Sequence, residues 1–261
     1  MKLAIGSTKK NTFPMQLEKT HSLERIYPIE MNPESQNDLD SIEIHTSRYD
    51  FASRNLVGSE ILDMACGCGF GTAQMAKDHP DKQFTGIDID PMAIEYANSH
   101  YRLPNLKYVC ADAMTYDAAR YDSIVSLETI EHLPRPKEFI QNLSCLVNSN
   151  GRIIASVPVT PTCDGNPHHL HDFTVRSFKK LFSNVGFSMT DEFKQVQNWV
   201  MDDAFSSNEN SDSRSQGVGL NVMAYYKKHP LALLTRIKSL MVHGRCNIYL
   251  TGVFETNKES Q

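Results

Sequence analysis

The chain has 261 residues and a net charge of −5, enough length for one α/β domain with added segments. Its charge is too mild to support a broad nucleic-acid or membrane-binding face, although a local patch is compatible with it. With 40% hydrophobic and 22% charged residues it has the composition of an ordinary globular protein, not of a disordered or fibrous one.

The N-terminal segment MKLAIGSTKKNTF turns polar after a few weakly apolar residues, too soon for a signal-peptide core. No apolar run approaches the roughly 20 residues that a spanning helix needs. The cysteines (Cys66, Cys68, Cys110, Cys145, Cys163 and Cys246) form no C-x-x-C pair, so neither a structural zinc site nor a thioredoxin-like motif is suggested. A cytoplasmic location with reduced thiols is the expectation.

Residues 1–35 are polar and contain Pro14, Pro28 and Pro33, which predicts an extended arm ahead of a single domain over 36–261. Apolar positions from Leu39 to Ala52 give a rough helical pattern over 38–56, ending near Gly58. From Glu60 onward strand and helix signals alternate. ILDM (61–64) is a first strand, followed by glycines and a helical stretch over 72–77. FTGID (84–88) is a second strand, with Pro91 placed to open the next helix. LKYVC (106–110) and DSIVSL (122–127) are a third and a fourth. Residues 137–147 read as a helix stopped by Gly151, before a fifth strand over 152–159. Such alternation predicts parallel βαβ units in a doubly wound sheet, with right-handed crossovers placing helices on both faces.

Beyond Pro161 the pattern loosens. TPTCDGNPHHLHDF is loop-like, and Thr174 is positioned to cap a helix running through Phe182. Residues 188–198, 221–228 and 247–255 each read as strands, with a helix over 231–241; which strand completes the sheet stays open. The polar stretch 202–219 is low in apolar residues and reads as a mobile insertion, a candidate cover over an acceptor pocket.

The strongest chemical signal is DMACGCGFG (63–71), between a strand and a helix. Glycines at 67, 69 and 71 let a ligand approach the backbone. The helix N-terminus behind them offers N–H groups and a positive dipole end to a carboxylate. Alone, this could be a tight βα turn with no ligand. Asp88 and Asp112 sharpen it by ending the second and following the third strand. At the carboxyl ends of such strands, Asp88 can accept from ribose hydroxyls and Asp112 from an adenine amino group. A nicotinamide dehydrogenase would need G-x-G-x-x-G; here the glycines run G-x-G-x-G and Thr72 holds the sixth position.

ILDMACGCGFGT, FTGIDIDPMAIEYA, VCADAM and YDSIVSLETIEHLPRPKEFI occur in the order found in the class I S-adenosylmethionine-dependent methyltransferases, and the chain resembles that family over roughly residues 45–160. The resemblance implies a Rossmann-like, doubly wound, mostly parallel seven-stranded sheet with an N-terminal helical arm and C-terminal insertions. It implies S-adenosylmethionine as cofactor, with Ala65, Gly67 and Gly69 along its methionine part and Asp88 on the ribose. Asp112 and Ala113 would lie at the adenine and the Leu127 backbone near the amino group. Asp63 would hold the glycine loop and help orient that amino group. HTSRY (45–49) resembles the segment in which an arginine meets the cofactor carboxylate, making Arg48 the candidate; a surface arginine is the alternative. Ala65 departs from the glycine usual at its position.

Methyl transfer is an in-line displacement, so the protein must align an acceptor lone pair and, for a hydroxyl, take its proton. Glu128, Glu131 and His132 follow the fourth strand at i, i+3 and i+4 spacing, which would share one face of a helix. Two readings stand. The three could hold a divalent ion such as Mg2+, as in the E-x-x-E-H pattern of metal-dependent branches, including some quinone and small-RNA methyltransferases; His168, His169 or His171 would complete the site. Otherwise His132 is the general base, its ordinary pKa lying near neutrality. GNPHHLHDF (165–173) also resembles the N-P-x-H loop of small-molecule and sugar O-methyltransferases, with His169 as its histidine. Trp199 and Phe205 could line an acceptor pocket or belong to the core.

The expected activity is O-methylation of a hydroxylated small molecule, a saccharide or natural-product intermediate. Alternatives are N-methylation of a small amine and a Mg-dependent quinone-type reaction. A nucleic-acid acceptor is disfavoured because no basic face is evident, and a non-catalytic cofactor-binding subunit because Glu131 and His132 are intact.

Overall fold

The computed structural model describes residues 25–166, 168–198 and 225–257. Helix α1 (Gln36–Arg54) opens the domain, its N-cap Ser35 accepting from the Asp38 N–H. There follow β1 (Glu60–Met64), α2 (Phe70–Asp78), β2 (Gln83–Asp88), α3 (Pro91–His100), β3 (Leu106–Cys110) and β4 (Tyr121–Ser126). Next come α4 (Pro136–Leu146), β5 (Val147–Pro158), α5 (Val175–Ser183) and β6 (Phe187–Asn198). Helix α6 (Pro230–His243) and β7 (Cys246–Thr256) complete the described order.

The strands form one seven-stranded sheet in the order β3-β2-β1-β4-β5-β7-β6. The first five run parallel, and β7 inserts antiparallel between β5 and β6. The strand expected over 247–255 therefore does not end the sheet; it lies inside it, and β6 takes the edge. The order reverses between β1 and β4, which sets a crevice at their carboxyl ends.

Side chains alternate along the strands and feed two apolar cores. Ile124, Ile153 and Phe254 pack on one face with Phe139 of α4 and Phe178 and Phe182 of α5. Their neighbours Val125, Ile154 and Val253 face the other side, with Tyr49 and Phe51 of α1 and Met75 of α2. The Phe182 and Phe254 rings stack at 3.6 Å, fixing α5 over β7.

Two sequence expectations change. Helix α4 spans Pro136–Leu146, close to the expected 137–147, but Gly151 is not what stops it, because β5 begins directly at Val147. Val147, Asn148 and Asn150 are poor helix formers, so the helix fails before the glycine is reached. Gly151 instead lies within a bulged part of β5, where a Cβ would stand 2.6 Å from the Asp122 carbonyl oxygen. Second, residues 225–228 of the expected strand over 221–228 are helical; 221–224 lie outside the described residues. Pro91 opens α3 as expected, and Asp90 caps it, accepting from the Met92 N–H. Thr174 caps α5 as anticipated, in a reciprocal box with Ser177. The insertion 202–219, Trp199, Phe205 and residues 1–24 of the arm lie outside the described residues. No described helix is long and apolar enough to cross a membrane.

Candidate functional site

The turn after β1 is built on left-handed backbone: Ala65, Gly67 and Gly69 have φ of +66°, +58° and +84°. Glycine adopts this region readily and alanine pays a conformational cost, so Ala65 is the strained member of the loop. Gly69 is the residue before α2, and a Cβ there would meet the Ala97 methyl and the Tyr108 ring at 2.7 Å. Gly67 has no such crowding, and its N–H donates to Asp88 Oδ2 at 2.9 Å. The loop is thereby hung on the end of β2.

Asp63 ties the loop to the helix behind it. Its Oδ2 accepts from Thr72 Oγ1 of α2 at 2.5 Å and from Tyr49 Oη of α1 at 3.3 Å. Burial nevertheless pushes its carboxyl up to about 7, outweighing those two bonds. Its Oδ1 is buried and has no hydrogen-bond donor. Asp63 is 1% exposed and does not line the cleft, so it braces the glycine loop from behind.

Asp88 also accepts from the Asp90 N–H at 2.9 Å and from Arg25 Nη2 at 2.8 Å. Arg25 spans Asp88 and Asp90, and Cys68 Sγ donates to the Ile26 carbonyl at 2.7 Å. The chain before α1 thus lies over the glycine loop and engages the carboxylate expected to take a ribose. Asp112 is exposed beyond β3, accepting from the Met114 N–H at 2.8 Å. Ala113 beside it and Leu127 past β4 are buried.

Across the cleft the expected helical face does not form. Glu128 has φ of +49°, and the chain turns into a short 3-10 segment only at Ile130–His132. Glu128 is therefore separated from Glu131 and His132. Its Oε1 accepts from Ser156 Oγ at 2.6 Å and lies 3.6 Å from Arg48 Nη1. Arg48 is no surface residue: it is 2% exposed, donates from Nε to Gln195 Oε1 at 3.0 Å and lies over the Tyr249 ring.

Another histidine takes the place beside Glu131 and His132. The segment 160–173 folds back so that the Leu170 N–H donates to the Glu131 carbonyl at 2.8 Å. His132 and His169 meet edge to face with centroids 4.7 Å apart. Donor atoms of Glu131, His132 and His169 lie within 4.8 Å of one another. Two imidazoles and one carboxylate suit a borderline transition ion better than Mg2+, which takes oxygen ligands. His132 Nδ1 lies 3.1 Å from the His168 carbonyl oxygen. A carbonyl only accepts, so Nδ1 carries the proton and Nε2 the basic lone pair. His169 Nδ1 meets Thr162 Oγ1 at 2.6 Å. His171 Nε2 donates to the Leu133 carbonyl at 3.0 Å, and His168 is exposed, bound here through its backbone.

One cleft of about 1000 Å3 joins the two sides, reaching from Asp88 and Asp112 to His132 and His169. Its far wall holds a group that sequence reasoning missed. Arg236 of α6 donates from Nε to Asp164 Oδ2 at 2.6 Å and from Nη2 to the Pro161 carbonyl at 2.6 Å, and Tyr226 Oη also donates to Asp164. Burial alone would raise the Asp164 carboxyl; the Arg236 and Tyr226 bonds bring it below its ordinary value. The only sequence signal was a pair of cations, Arg236 and Lys238, inside an otherwise apolar helical run. Gln197 and Tyr249, which line the cleft from β6 and β7, were likewise missed.

Residues 56–207 match the family model described as a methyltransferase domain, more than half of the chain. A ubiquinone biosynthesis O-methyltransferase of Coxiella burnetii is 33% identical over 105 residues, covering 39% of this chain and 44% of that protein. The mitochondrial ubiquinone biosynthesis O-methyltransferase of Schizosaccharomyces pombe is 28% identical over 168 residues, 59% of this chain and 60% of the relative. The chain thus spans about half the length of these curated relatives. Among solved structures, the N-methyltransferase NodS of Bradyrhizobium japonicum, in complex with S-adenosyl-L-homocysteine, superposes with a TM-score of 0.57 at 14% identity. That match covers 90% of this chain and 93% of the other, a likeness of fold.

Proposed function

This chain belongs to the class I S-adenosylmethionine-dependent methyltransferases, and on that premise we propose that it methylates a hydroxyl of a small metabolite, a saccharide or natural-product intermediate. The observation that carries the proposal is the position of His132. Its Nδ1 is fixed by the His168 carbonyl, and it faces the same cleft as Gly67 and Asp88. S-adenosylmethionine, when bound, supplies a methyl group already activated on a sulfonium. The chain's residues bind, orient and accept a proton. Asp88 takes the ribose hydroxyls, Asp112 and Ala113 flank the adenine, and the Leu127 backbone receives the amino group, with Asp63 holding the glycine loop that orients it. Ala65, Gly67 and Gly69 pass along the methionine part. Arg48 reaches the cofactor carboxylate only if its Glu128 contact opens.

The acceptor oxygen forms its bond to the methyl carbon as the sulfur–carbon bond breaks, with that electron pair staying on sulfur. The hydroxyl proton passes to His132 Nε2. His169, packed edge to face on His132, limits its rotation. The O-methyltransferase relatives support an oxygen acceptor.

A second reading has its own observation, the convergence of Glu131, His132 and His169. These three would hold a divalent ion that lowers the acceptor's pKa, with Glu128 outside the ligand set. Turnover on paired hydroxylated and amino acceptors, with and without chelator, separates the readings. The metal-free reading predicts that His132→Ala lowers kcat by roughly 100-fold or more while chelator changes nothing. If Glu131→Ala and His169→Ala are as damaging and chelator abolishes turnover, the metal reading replaces it. Turnover of amines alone would move the reaction to nitrogen. Full activity in all three alanine variants would contradict both readings.

A further inference from the structure

Helix α6 packs with its polarity inverted. Its buried residue is Arg236, anchored by Asp164 and the Pro161 carbonyl. Its apolar side chains point outward: Leu231 is 77% exposed and Met241 82%, with Leu234, Ile237 and Val242 also exposed. Leu231, Leu234, Ile237 and Met241 recur at three- and four-residue spacing and so form one ridge. A contiguous apolar patch of this kind on a soluble chain marks an interaction surface.

The charge around the ridge says which surface. The chain is acidic overall, yet no acidic residue occurs between Tyr225 and Phe254. Lys227 and Lys228 stand exposed just ahead of the helix, and Lys238 is exposed within it, beside the ridge. Lysine stems can lie on an apolar boundary while their ammonium groups reach phosphate. An apolar ridge edged by lysines, on a helix that carries no carboxylate, is complementary to an anionic phospholipid surface. A second copy fits less well, because a two-fold contact through the ridge would bring Lys238 of both copies towards like charge.

We propose that α6 docks this protein on an anionic bilayer, lying in the headgroup region without crossing it. The inner side of α6 lines the cleft through Arg236 and Leu240, so docking holds the cleft beside the lipid. The docking does not depend on which acceptor is methylated.

The test is sedimentation of the full chain with vesicles of phosphatidylglycerol and phosphatidylcholine in equal parts, against vesicles of phosphatidylcholine alone. Binding is expected to the first, weakening as salt is added. The pair Leu234→Gln and Met241→Gln should reduce it by about ten-fold or more. The set Lys227→Gln, Lys228→Gln and Lys238→Gln, which leaves the ridge intact, should reduce it by a similar factor and decides the matter if the first pair misfolds. Absence of vesicle binding, or binding that neither set of changes alters, overturns the proposal. A dimer in sedimentation velocity that Met241→Gln dissociates, with no vesicle binding, overturns it in favour of a second copy.

Discussion

Asp63 illustrates how one buried group makes stability depend on pH. One of its oxygens is taken by Thr72 and Tyr49 and the other has no donor, so the folded protein holds the proton up to about pH 7. Below the ordinary value of 3.8 both folded and unfolded chains are protonated there. As pH rises from 3.8 to about 7 the unfolded chain releases the proton while the folded chain keeps it. Stability therefore falls across that window, by on the order of 4 kcal/mol. Asp63→Asn should remove this component, so denaturant unfolding near the two ends of the window should differ less in the variant than in the wild type. An unchanged difference would mean that Asp63 is ionised in the folded chain. This residue and the glycines were legible in the sequence as one short turn pattern between a strand and a helix, and Asp88 as the end of the next strand. Glu128 was misplaced because i, i+3, i+4 spacing implies a shared face only if the backbone is helical, and φ of +49° at Glu128 breaks that condition.

At the level of elements, the strands of both halves of the sheet were readable, but the order and direction of the antiparallel pair were not. β1, β2 and β4 are short apolar runs bounded by turns, so their ends carry local signals. β6 and β7 pair across a long stretch of sequence, and their order depends on long-range packing that no local pattern encodes. The attachment of α6 is another case. Asp164 and Arg236 are far apart in sequence, and they join a loop after β5 to a helix whose outer face is apolar. Removing one partner of a buried ion pair leaves the other charge without compensation. Asp164→Asn should therefore cost roughly 3 kcal/mol in denaturant unfolding. Amide exchange should quicken in α6 while the 63–72 segment keeps its protection. Uniform loss of protection across the chain would show instead that α6 is part of the global folding unit. Equal protection everywhere would show that the ion pair does not hold the helix.

Across the whole molecule, two walls of different origin meet over one cleft. The wall from β1, β2 and β3 is a glycine turn and two carboxylates at strand ends, positioned by the topological switch between β1 and β4. The opposite wall comes from the segment after β4, the histidine loop after β5, and β6, β7 and α6. The first wall follows from a repeated βαβ plan and was legible from spacing. The second wall depends on the loop 160–173 folding back onto Glu131 and Leu133, which histidine spacing alone does not determine. Calorimetric titration of the full chain with S-adenosylmethionine tests the first wall most directly. Asp88→Ala should weaken binding by roughly 1–3 kcal/mol, the loss of charge-assisted bonds to the ribose. An affinity unchanged by Asp88→Ala, or no binding by the wild-type chain, would contradict the cofactor site at its foundation.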